Sequence, residues 1–179
     1  AGYGDVGIRE AVDAGYIPGP HLIVATRSIS TTGGYALEGY NPELTLPKGA
    51  QLIDGPIAAR KAAREQLDNG ADWIKVFAST GSFDNVTGDP TVSYEELKAI
   101  IDTAHEAGRK VAVHSYGPAA ARDAIRAGAD TLEHATQILQ EFLDLRLTGP
   151  HPEVQRQDQT LDPRTKLSCI PRRQVCQIG

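Results

Sequence analysis

Three times this chain closes a helical pattern on a glycine and restarts as a run of strand length. The turns are Asn69-Gly70-Ala71-Asp72, Ala107-Gly108-Arg109-Lys110 and Ala127-Gly128-Ala129-Asp130. A glycine just past the last helical residue adopts the left-handed conformation that ends a helix. The runs that follow, Trp73-Ile74-Lys75-Val76-Phe77, Lys110-Val111-Ala112-Val113-His114 and Thr131-Leu132-Glu133-His134, have the length of strands. A chain that repeats helix, glycine and strand at this spacing buries its apolar faces by laying strands parallel with helices packed across them. The repeat therefore predicts an α/β fold, either an open doubly wound sheet or part of a barrel.

Local signals fill in the rest. Asp5 is expected to cap a first helix whose Ile8, Ala11 and Val12 recur at helical spacing, closing at Gly15. Pro18-Gly19-Pro20 forces extended chain into His21-Leu22-Ile23-Val24-Ala25, read as the first strand. Residues 28–55 read as one long glycine-bearing loop with Thr32-Gly33-Gly34 inside it. Pro56 marks the start of a helix over 57–69. Ser93 and Glu96 form a capping box ahead of Leu97, Ile100, Ile101 and Ala104, which lie on one helical face. Ala121, Ala124 and Ile125 mark the next helix, and 136–145 a last one. The expectation is about four parallel strands with their helices, in one domain over residues 1–137.

Beyond that point the pattern stops. Residues 138–179 are read as a last helix followed by a disordered or read-through tail, with prolines at 150, 152, 163 and 171. Residues 146–179 carry a charge of +3 within a total of −5. The acidic body offers no electrostatic reason to expect nucleic acid or an anionic membrane as partner. No apolar run reaches the ~18–20 residues of a membrane span, and no targeting signal is read, which makes the cytoplasm the default compartment. Both cysteines, Cys169 and Cys176, lie in the tail, and with His151 they lack the paired spacing of a zinc knuckle.

In parallel α/β architectures the working groups come from the carboxyl ends of strands. Lys75, His114 and His134 sit in or at the ends of three successive expected strands. Two imidazoles from neighbouring strand ends can share one cation. Lys75 lies between Ile74 and Val76, where desolvation lowers an amine's pKa and leaves it nucleophilic. Such an amine can add carbon dioxide and become an oxygen ligand. His21 and His105 are read as structural. No Gly-x-Ser-x-Gly elbow, dinucleotide fingerprint or phosphate loop is present.

Gly70-Ala71-Asp72-Trp73-Ile74-Lys75-Val76, Val113-His114-Ser115-Tyr116-Gly117 and Thr131-Leu132-Glu133-His134-Ala135, in that order, resemble the metal-dependent amidohydrolase superfamily. Within it, the chain is similar to the imidazolonepropionase-like branch that includes Xaa-Pro dipeptidases. Asp5-Val6-Gly7-Ile8-Arg9-Glu10-Ala11 and Ile17-Pro18-Gly19-Pro20 extend the likeness. The resemblance implies a (β/α)8 TIM-type barrel, of which residues 1–137 would supply about strands three to six. It also implies a binuclear centre of Zn2+ or another divalent transition metal, with Lys75 as the carboxylated bridging ligand and His114 and His134 as the next two. The family's His-x-His pair occurs nowhere in this sequence, no strand for its catalytic Asp follows residue 135, and Tyr35 stands where the branch often has His.

These readings predict a metal-dependent hydrolase of amide or peptide-type C–N bonds, with ester or carbamate cleavage as side activities. The substrate is a small or peptide-like molecule, with Tyr116, Ser79 and Ser82 positioning it. Weak activity is expected from the incomplete ligand set. One alternative is a folded but catalytically incomplete fragment; another is a serine-type esterase using Ser79, Ser82 or Ser115 with His114. A partial barrel leaves two open edges, expected near 21–25 and 131–134, through which two copies would associate.

Overall fold

The computed structural model describes residues 2–34, 41, 43–44, 49–81 and 88–135. Along the chain come α1 (Gly4–Asp13), β1 (Ser28–Thr31), β2 (Ala50–Ile53), α2 (Pro56–Asp68) and β3 (Trp73–Phe77). Then follow α3 (Tyr94–Glu106), β4 (Lys110–Ser115), α4 (Pro118–Ala127) and β5 (Thr131–His134). The strands form one sheet in the order β2-β1-β3-β4-β5, every neighbouring pair parallel. Helix α2 packs on α3 and α3 on α4, so these helices line one face of the sheet.

Alternation along the strands decides what each face holds. Ile74, Val76, Val111 and Val113 are fully buried, in one core with Leu97, Ile100 and Ala104 of α3 and Ala59, Ala62 and Ala63 of α2. Burying a side chain of this size stabilises the fold by roughly 1.5–3 kcal/mol. The alanines of α2 and α4 let those helices lie close to the strands. At the start of α3, Ser93 accepts from the Glu96 amide while Glu96 accepts from Ser93, the expected capping box.

The repeated turns have a common geometry. Gly70, Gly108 and Gly128 all have positive φ, and the next residue's amide reaches back to Gln66, Ala104 and Ala124 respectively. Two of the turns end in an aspartate with a shared job. Asp72 accepts the Val24 amide at 3.0 Å, and Asp130 accepts the Val111 amide at 2.8 Å. Each also holds a basic side chain from a preceding helix, Arg9 at 2.6 Å and His105 at 2.9 Å. These clasps fasten the amino end of the sheet, leaving the carboxyl end for chemistry.

The structure corrects the sequence reading at three places. His21–Ala25 is not a strand: Leu22 and Val24 are buried and the Val24 carbonyl accepts from the Asp72 and Trp73 amides, but Thr26 turns left-handed (φ 56°) before pairing begins. The expected loop of 28–55 contains two strands, so among the described residues the sheet has five strands, with β2 and β5 at its edges. Asp5 is not the cap of α1: the capping position is Tyr3, and Asp5 accepts the amides of Val6 and Thr26, tying the helix to the left-handed turn. The expected helix over 136–145 and the tail lie outside the described residues.

Candidate functional site

Because Ile74 and Val76 face the helices, Lys75 projects from the other face, one-fifth exposed. Its Nζ lies 4.0 Å from Glu133 Oε2 and 5.7 Å from the centre of the Phe77 ring. Burial lowers the pKa of the Lys75 amine, and the charge of Glu133 opposes that shift only in part. Glu133 is itself held by Thr131, whose hydroxyl donates to Oε1 at 3.2 Å.

His114 stands on the same face, in register with Phe77 on one side and Glu133 on the other. It is 4% exposed and packed edge-on against three rings: Phe77 at 5.3 Å, Tyr116 at 4.9 Å and His134 at 4.8 Å between centres. His134 in turn stacks on Tyr116 at 4.4 Å. Desolvation, then the neighbouring His134 and Lys75, push the His114 pKa down to about 4. The ring is therefore neutral at pH 7, the form that offers a lone pair to a metal.

His114 and His134 thus meet near the carboxyl ends of β4 and β5, and Lys75, in the middle of β3, is close enough for its charge to act on His114. Tyr116 is at the same place, buried, with its ring packed against both imidazoles and its backbone amide donating to Ser79 Oγ at 2.9 Å. Ser79 is fully buried, and its hydroxyl oxygen accepts that amide. Ser115 is fully buried as well and donates to the Gly117 carbonyl. Neither hydroxyl is presented as a serine nucleophile. Ser82 and Tyr35 lie outside the described residues. His21 is exposed beside Asp13, and His105 pairs with Asp130 at the opposite end of the sheet.

Sequence reasoning missed Glu133 and Phe77. The two-residue period could have found them: once Lys75 and His114 are set facing away from the helices, Phe77 follows Lys75 by two, and Glu133 is the register partner of His114.

Two adjacent imidazoles, one held neutral, suit a borderline-soft divalent cation. Among the described residues, no three His, Cys, Asp or Glu side chains gather to hold a metal ion. The donor set fits as part of a centre, with Lys75 as the third group if carboxylated.

Residues 1–147 match the amidohydrolase family. Ochratoxinase of Aspergillus niger is 32% identical over 167 residues, covering 81% of this chain and 34% of that protein. Among solved structures, a Xaa-Pro dipeptidase with bound methionine superposes with a TM-score of 0.74 at 32% identity, over 82% of this chain and 37% of that one. A prolidase complexed with N-methylphosphonate-L-proline gives 0.71 at 30% identity, over 81% and 38%. The chain spans about a third of the length of these relatives. Among the described residues no helix is long and apolar enough to cross a membrane. The match across most of the chain and the shared parallel sheet, a partial TIM-type barrel, place this chain in the amidohydrolase family.

Proposed function

We propose that this chain carries part of the cation centre of a hydrolase of amide or peptide-type C–N bonds, with Lys75, His114 and His134 as ligands. The observation that carries the reading is the approach of His114 and His134 to 4.8 Å at two neighbouring strand ends, beside Lys75. The names of the relatives favour small amide substrates of the dipeptide kind, Xaa-Pro among them; ester and carbamate bonds are side activities.

Zinc or another divalent transition metal bound there supplies Lewis acidity toward water and the scissile carbonyl. The chain's own residues prepare for it. His114 is kept neutral by burial, ready to donate its lone pair. Lys75, losing a proton as its nitrogen bonds to carbon dioxide, becomes a carbamate whose oxygens replace the amine as donors. Tyr116 fixes the plane of His134 by stacking and shields His114 from solvent.

That no three His, Cys, Asp or Glu side chains, among the described residues, are placed to hold a metal ion together favours a second reading in which this chain alone is catalytically incomplete. Strands β2 and β5 each pair on one side only among the described residues, so two copies can associate through these edges. Light scattering after size exclusion is expected to show a dimer, and a clean monomer at high concentration removes this part of the proposal. The hydrolytic reading is tested with dipeptide and ester substrates in zinc-loaded protein, with chelator, and in His114→Ala. Loss of turnover in the last two is expected; equal rates in all three refute the metal mechanism.

A further inference from the structure

His134 occupies a backbone conformation that a residue with a side chain seldom adopts. Its φ is 66°, and that of Ala135 is 49°. The Ala135 amide donates to the Glu133 carbonyl at 2.8 Å, two residues back, and also to the Ser115 carbonyl at 3.1 Å. A bond spanning two residues around a central residue of positive φ is a γ-turn of the rarer, strained hand. It sits on the last residue of β5.

Register shows what the turn changes. His134 pairs with Ser115, and Glu133 pairs with His114. In an unbent strand successive side chains alternate, so His134 would project with Ser115, away from His114. Instead the imidazole of His134 lies against His114 at 4.8 Å and Tyr116 at 4.4 Å. Glu133 and His134, neighbours in sequence, both serve the same face. We infer that this γ-turn is a positioning device: it takes the His134 imidazole off the face its register assigns and sets it beside His114, so that both rings address one divalent transition cation. The cation half of this statement rests on the function proposed above; the positioning half does not. Strained backbone persists where the surroundings hold it, and here the Tyr116 stack and the shared Ala135 amide do so.

Substitution at Ala135 tests this without touching a ligand. Ala135→Pro deletes the amide that closes the turn and drives the preceding His134 to extended φ. Ala135→Gly retains the amide and relieves the left-handed strain at 135. In the metal-free 179-residue chain, a nuclear Overhauser effect between the His114 and His134 rings is expected in the wild type and in Ala135→Gly, and is expected to vanish in Ala135→Pro. Zinc affinity measured by calorimetry is expected to fall at least ~10-fold in Ala135→Pro and to stay within about twofold in Ala135→Gly, whose thermal midpoint rises by roughly 2–4 °C. An Overhauser effect and an affinity that both survive Ala135→Pro would overturn the inference. If the rings separate in Ala135→Pro while no variant binds zinc, the positioning role stands and the cation reading is removed. Should Ala135→Pro not fold, Ala135→Gly decides: a midpoint several degrees lower, or no Overhauser effect between the rings, overturns the role of the turn.

Discussion

Burial of His114 makes the stability of the fold depend on pH. Unfolded, its imidazole titrates at the ordinary 6.5; folded, it titrates at about 4. Between these values the unfolded chain takes up a proton that the folded chain refuses. The stabilisation is therefore fully present above pH ~6.5 and drains away as pH falls toward 4. At ~1.4 kcal/mol per pH unit, the gap corresponds to about 3 kcal/mol. Urea unfolding of the chelator-treated chain at pH 7.5 and pH 4 should show the wild type losing about that much more stability than His114→Gln, which has no proton to gain. Carbon-13 shifts of the ring give the pKa independently. A ring titrating at 6 or above, or equal acid sensitivity in the two proteins, would refute the argument from burial.

The packing makes two more outcomes measurable. Ile100→Ala removes a fully buried side chain from the face of α3 that meets the core, and urea denaturation should register a loss of about 2–5 kcal/mol. Asp72→Ala strips a clasp that serves both the Val24 amide and Arg9; a loss of about 1–3 kcal/mol is expected, with faster amide exchange at Val24, and undiminished protection there would count against the clasp.

The later strands were readable in the sequence because β3, β4 and β5 each follow a helix that ends on glycine, and β3 and β4 carry apolar runs. Neither of the first two strands directly follows such a helix–glycine turn. In Ser28-Ile29-Ser30-Thr31 only Ile29 is apolar, yet Ile29, Ser30 and Thr31 are all buried, because the neighbouring strands and the chain over them bury hydroxyls that a composition argument assigns to a loop. His21–Ala25 misled in the opposite sense: its apolar residues are partly buried, but the left-handed Thr26 separates them from the paired strand. At the site, the sequence order set Lys75 inside its strand and His114 and His134 near the ends of theirs, as in the structure. The approach of His134 was not legible, since strict alternation places it on the wrong face and only the positive φ corrects it. Ser79 looked like a substrate group because it lies in a loop after β3; its actual partner, the Tyr116 amide, is 37 residues away and leaves no local mark.

The proposed chemistry requires Lys75, His114 and His134 to meet at one cation. X-ray absorption at the zinc edge of the loaded chain tests that most directly. Scattering from two imidazoles is predicted in the wild type, with one lost in His114→Ala and one in His134→Ala. A zinc environment unchanged by either substitution would contradict it.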